Sequence, residues 1–91
     1  MFYIYVLRSQ KDHGLYIGYK SDLKHRLGQH EAGEAKATIG RLPLKLIYYE
    51  AYLVEEDAIG RERFLKSGSG RKYLDKQLKH HFAACPRRET A

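Results

Sequence analysis

Hydrophobic and polar positions change period several times along the chain, and each change marks an element. Phe2-Tyr3-Ile4-Tyr5-Val6-Leu7 is an unbroken run of aromatic, β-branched and aliphatic residues, which predicts a strand. Its side chains alternate, with Phe2, Ile4 and Val6 on one face and Tyr3, Tyr5 and Leu7 on the other. Lys11-Asp12-His13-Gly14 is turn material, and Leu15-Tyr16-Ile17-Gly18-Tyr19 returns as a second strand of an antiparallel hairpin. The period then lengthens. Ser21-Asp22 offers a small polar cap, and Leu23 and Leu27 follow at helical spacing to about Glu31.

Residues 32–43, with Gly33, Gly40 and Pro43, read as a long loop, unusual enough in so small a domain to suggest function. Leu44 to Glu50 is a third strand. A second helix is expected from about Glu55 to Lys66, with Glu55, Glu56 and Asp57 at its positive end. Ser67-Gly68-Ser69-Gly70 is expected to break it, and Arg71 to Phe82 to form a third helix with Tyr73, Leu74, Leu78, His81 and Phe82 along one side. The order ββαβαα predicts an α+β domain, a small three-stranded sheet flanked by helices, over residues 1–82. Residues 83–91, with Pro86, are expected as a flexible basic tail.

Composition narrows the classes. Ninety-one residues make one domain with a modest core. No apolar run approaches the roughly 20 residues of a membrane span, and the opening apolar stretch lacks a basic lead-in and meets Arg8 at once, unlike a signal peptide. Cys85 is the single cysteine, so no internal disulfide can form, in keeping with a cytoplasmic location. The net charge of +6 is unevenly placed. Residues 1–60 hold eight Lys/Arg and eight Asp/Glu, whereas residues 61–91 hold nine Lys/Arg against Glu62, Asp75 and Glu89. Such a one-sided field suits a polyanion, or merely solubilises the chain.

Some residues sit where packing alone would place others. Arg26 and His30 are four apart on the first helix and share an arc with Leu23 and Leu27. They either form a site or flank the apolar stripe and reach water. Glu62 falls between Ala58, Ile59 and Leu65 on the inner side of the second helix. A carboxylate there needs a cation, either an ion-pair partner such as Arg26 or a divalent metal. Tyrosine is overused, with eight copies and four of them in the hairpin, and facing strands allow Tyr5 and Tyr16 to point to a common side. Zinc spacing and a phosphate-binding loop are absent.

In sequence order these residues resemble the GIY-YIG nuclease superfamily, in particular its short single-domain bacterial members. The first signature is Tyr3-Ile4-Tyr5, with Tyr3 where the family has Gly, and the second, Tyr16-Ile17-Gly18, matches in full. Ser21-Asp22-Leu23-x-x-Arg26-Leu27-x-x-His30 resembles the first helix of the family. Arg41-x-Pro43-Leu44-x-Leu46-x-Tyr48-x-Glu50 and Ala58-x-x-Arg61-Glu62-x-x-Leu65-Lys66 resemble later segments. The resemblance extends to the N-terminal cutting module of the nucleotide-excision nuclease (excinuclease). It departs in lacking the Asn that larger members carry after the catalytic Glu, since this chain has no Asn at all.

The resemblance implies metal-dependent hydrolysis of DNA phosphodiesters, structure-directed and in repair or processing. Its alternatives are a non-catalytic nucleic-acid-binding module and a scaffold of the same fold. It implies Tyr16, with Tyr5 second, as proton acceptor, Arg26 on the phosphate, His30 holding phosphate or orienting a Tyr, and Glu62 binding one Mg²⁺ or Mn²⁺. Lys20, Lys24, Lys66, Arg71 and Lys72 are expected to grip the DNA backbone with little sequence choice, RNA remaining open as a second partner.

Overall fold

The computed structural model describes residues 1–85. Three antiparallel strands form the sheet: β1 (Phe2–Ser9), β2 (Leu15–Lys20) and β3 (Leu44–Tyr52), in the order β2-β1-β3. The central position of β1 follows from its composition, since a strand flanked on both edges and covered on both faces has no exposed side for polar groups. Residues 4–9 of β1 are all buried. Helices α1 (Leu23–Glu31), α2 (Glu55–Lys66), α3 (Gly68–Gln77) and α4 (Lys79–Ala84) complete the α+β domain.

The apolar core lies on one face of the sheet. Ile4 and Val6 of β1 and Leu15 and Ile17 of β2 meet Ala58 and Leu65 of α2 and Leu74 of α3. Each aliphatic side chain fully removed from water contributes about 1.5–3 kcal/mol, so this small cluster supplies much of the stability of the domain. A polar clamp fastens α2 to β3 at the same level. The Arg61 guanidinium donates through Nε and Nη2 to the two oxygens of Glu50 at 2.9 and 3.0 Å. Tyr48 and Tyr52 donate to the same carboxylate, and Arg61 lies over the Tyr73 ring at 4.4 Å. Burial pushes the Glu50 carboxyl up, but the hydrogen bonds from Arg61, Tyr48 and Tyr52 outweigh it and hold the pKa below the usual value.

The structure corrects the sequence at the third helix and at the tail. Ser67-Gly68-Ser69-Gly70 does not delay the third helix to Arg71. α3 starts at Gly68, with Ser67 as N-cap accepting from the Gly70 amide at 3.1 Å. A Cβ on Gly70 would collide with the Phe64 carbonyl oxygen, so glycine here allows α3 to abut α2. The helical segment is also divided at Leu78 into α3 and α4. Residues 83–85, expected in a flexible tail, are held: Ala83 and Ala84 belong to α4, and the Cys85 carbonyl accepts from Arg8. The rest of that expected tail, 86–91, lies outside the described residues.

The β1–β3 pairing carries a bulge. Val6 faces Tyr48 but Leu7 faces Leu46, leaving Ile47 without a cross-strand partner. Among the described residues, no helix is long and apolar enough to cross a membrane.

Candidate active site

On the opposite face of the sheet from the core, the strand register brings the two signature tyrosines together. Tyr5 pairs with Gly18 and Leu7 with Tyr16, so Tyr16 stands diagonally across from Tyr5 with ring centroids 6.3 Å apart. The glycine is required by packing. A Cβ on Gly18 would collide with both Cζ and the hydroxyl oxygen of Tyr5, so the Tyr5 ring occupies the space that any other side chain would fill.

Helix α1 covers this face. Asp22 caps it, its carboxylate accepting from the His25 amide at 3.0 Å, and this fixes the phase that turns Arg26 and His30 inward. His30 is 1% exposed, with its ring 5.8 Å from that of Tyr5 and 5.2 Å from that of Tyr16. Its Nε2 lies 3.2 Å from the Tyr5 hydroxyl and its Nδ1 2.6 Å from Thr38 Oγ1. Arg26 donates through Nε to the Tyr5 hydroxyl at 3.4 Å and through Nη1 to Gln29 Oε1 at 3.1 Å.

The donor count orders this chain of bonds. Burial, and then the neighbouring Arg26 charge, lower the His30 pKa, so the imidazole is neutral near pH 7 and one ring nitrogen accepts. Arginine can only donate, so Tyr5 accepts from Arg26 and its own proton is free to go to His30 Nε2. Nδ1–H then donates to Thr38. Burial raises the Tyr5 pKa, an effect that the hydrogen bond and charge from Arg26 oppose but do not cancel. The hydrogen bond to Tyr5 raises the Arg26 pKa. Tyr5 is therefore a buried, protonated spacer, while Tyr16, which retains solvent exposure, is the tyrosine that an incoming molecule can reach.

Thr38 has no signal in the sequence pattern. It comes from the long loop, which the structure pins near its C-terminal end, at Arg41. Ser9 Oγ donates to the Arg41 carbonyl at 2.6 Å, and the Arg41 side chain pairs with Asp12 at 3.3 Å. These ties hold the 3-10 turn Ile39–Arg41 and with it the buried Thr38, 1% exposed. The length of the loop is the one hint that the sequence offers.

Glu62 stands apart from this group. It lies on α2, on the core side of the sheet, and its charge acts on Tyr19 of the edge strand β2. It is partly exposed, at 21% for its side chain, and its ion pair is with Lys66 at 3.2 Å rather than with Arg26. Among the described residues no group of three or more His, Cys, Asp or Glu gathers as a metal cluster. The donor is a single hard carboxylate beside an edge strand, which fits Mg²⁺ or Mn²⁺ held by one carboxylate, water and substrate phosphate.

Of the expected DNA-gripping residues, Lys20, Lys24, Lys66 and Lys72 are exposed and Arg71 is half-buried. Lys24 borders an open groove of about 550 Å³ between α1 and the sheet, lined also by Tyr3, Leu23, Leu27 and Tyr49.

Known proteins are similar to this chain in sequence. Residues 1–75 match the family model described as the GIY-YIG catalytic domain. A UPF0213 protein of Streptococcus pneumoniae serotype 4 is 45% identical over 65 residues, a stretch covering 70% of this chain and 65% of that relative. A UPF0213 protein of Streptococcus pyogenes serotype M5 is 48% identical over 65 residues, 70% of each chain. The solution structure of a UPF0213 protein from Bacillus halodurans is 29% identical, covers 96% of this chain and 87% of that one, and superposes with a TM-score of 0.46.

Proposed function

The chain belongs to the GIY-YIG family of nuclease domains, and on that premise we propose that it is a metal-dependent endonuclease that hydrolyses DNA phosphodiesters in repair or processing. The observation that carries this reading is the bonded chain Arg26–Tyr5–His30–Thr38, with the half-buried Tyr16 beside it. A binding module has no need of a neutral buried histidine aligned on a tyrosine hydroxyl.

In this reading Tyr16 takes the proton of the attacking water. General-base transfer through a phenol oxygen needs positive charge close by in the transition state. Arg26, always protonated, supplies that charge and binds a non-bridging phosphate oxygen as negative charge grows. Tyr5 and His30 hold Arg26 and the tyrosine pair in place. Glu62 would hold the divalent ion, which when bound neutralises phosphate charge and stabilises the leaving oxygen. Lys20, Lys24, Lys66, Arg71 and Lys72 grip the backbone. Neutralising about five phosphates gives a log–log salt slope near −4 to −5.

Glu62→Gln tests the reading directly. Nicking of supercoiled DNA in Mg²⁺ or Mn²⁺ is expected to fall at least ~100-fold while the melting temperature stays put, because the amide keeps the shape and loses the charge that a hard cation needs. A clear drop in melting temperature with nicking unchanged would assign Glu62 a structural role instead.

A further inference from the structure

Part of the α1 face belongs neither to the core nor to the tyrosine site. The apolar stripe of α1 runs through Leu23 and Leu27, yet among the described residues neither joins the hydrophobic core or packs against it. The same is true of Tyr3 and Tyr49. These four side chains line the open groove of about 550 Å³ together with Ser21, Asp22 and Lys24. Tyr49 is 55% exposed. The Tyr3 and Tyr49 rings lie 6.2 Å apart and are tilted at 59°, so they do not cover each other's faces.

The strand register ties this groove to the tyrosine site. Tyr49 is the β3 partner of Tyr5, and Lys20 is the β2 partner of Tyr3, so all four side chains stand on one face of the sheet. Lys20 and Lys24 are exposed and bring positive charge to this end of it. The single carboxylate in the groove lining, Asp22, is engaged as the α1 cap on the His25 amide. Uncovered aromatic faces and leucines beside exposed lysines complement a nucleotide, which offers an apolar base face on an anionic backbone.

We propose that the groove takes an unpaired base of the DNA substrate, stacked on Tyr49 and Tyr3 one strand away from Tyr5, with Lys20 and Lys24 on the adjoining phosphates. The inference rests on the nuclease reading for its DNA and names the part of that DNA which enters here. A base within a duplex keeps its faces covered, and extruding it costs about as much as one such stack returns. The groove therefore favours DNA whose bases are already unpaired, such as a gap, flap or single strand.

The test is binding of the full chain, without divalent metal, to a labelled single strand and to its twin carrying stable abasic sites. The twin keeps every phosphate and loses the base faces. The intact strand is expected to bind about 5–150-fold more tightly, the worth of one stacked base. Tyr49→Leu, at an exposed position of the edge strand, should abolish that preference, and Tyr49→Phe, which keeps the ring, should retain it. Lys24→Ala should weaken both strands alike. Equal binding of the two strands by the wild type, or a preference undiminished in Tyr49→Leu, overturns the proposal. A dimer in solution that Tyr49→Leu dissociates gives the groove to a second copy of the chain and overturns it as well. Binding is read without cleavage, so the two readings fail separately. A chain with the preference that never nicks DNA keeps this site and loses the nuclease reading, and one that nicks without the preference loses only this site.

Discussion

The two faces of the sheet each carry an arginine surrounded by tyrosines, and they differ by one carboxylate. On the core face Arg61 meets Glu50, and Tyr48 and Tyr52 donate to the same acid. The charges cancel internally, and desolvation together with the Glu50 hydrogen bond pushes Tyr52 up to about 12 and Tyr48 higher still. On the α1 face Arg26 donates to Tyr5 and Gln29, neither of them an acid. Its charge is left over for a visitor. The same residue types thus make a structural clamp where a carboxylate is supplied from within, and a receptive site where the anion must come from outside.

The largest expected effect separates the tyrosines. Tyr16→Phe should slow the chemical step by ~10²–10⁴-fold at saturating DNA and metal, the usual worth of a general base. Tyr5→Phe should cost less, since Tyr5 is buried and protonated, and Tyr48→Phe should leave the rate alone. Single-turnover nicking assays rank the three. A larger defect at Tyr5 would exchange the two roles, and near-normal rates in the Tyr5/Tyr16 double variant would remove the tyrosines from the chemistry.

Glu50→Gln should do the converse. Breaking a fully buried pair costs about 3–5 kcal/mol, and partial exposure here reduces this to about 2 kcal/mol. Denaturant unfolding measures the loss, with nicking at permissive temperature unchanged. Equal damage to stability and nicking would mean that the two faces are not independent.

The smallest effect is a pair of pH windows. The folded pKa of His30 lies below the ordinary 6.5, because of burial and then Arg26, and that of His81 is lowered chiefly by burial. The unfolded chain therefore binds protons first, and stability is lost as pH falls from about 6.5 through the folded values. Glu50, held below 4.5, contributes stability above its unfolded pKa that is lost only as pH falls through the lower folded one. His30→Gln should remove part of the upper window and Glu50→Gln the lower. Melting curves from about pH 2 to 8 resolve them, and a wild-type profile flat between about pH 5 and 7 would contradict the neutral, buried state of His30.

Much of the fold and of the site is legible in the sequence because it is periodic. Alternation along β1 sorts Tyr5 from Ile4 and Val6, the Asp22 cap sets α1, and the four-residue step joins Arg26 to His30. The features that escape the sequence depend on contacts distant along the chain. Gly68 and Gly70 look like breakers by local propensity, but close approach to α2 makes Gly70 the residue that permits the helix. Thr38 has no periodic neighbour and acquires its place from ties between Arg41, Asp12 and Ser9. The sequence suggests Arg26 as a partner for Glu62, whereas the structure gives it Lys66, one turn along its own helix.

The bulge at Ile47 bears on how this domain can tolerate change in length. Because every second residue of β1 serves the other face, loss of a single codon there would send Tyr5 into the core and its aliphatic neighbours into the site. β3 holds a spare residue opposite Val6 and Leu7. Deleting Ile47 would remove the bulge and leave the other pairs as they are, Tyr48 against Val6, Leu46 against Leu7 and Lys45 against Arg8, with every side chain on its present face. The strand at the edge, not the one at the centre, is where this domain can lose or gain a residue and still fold.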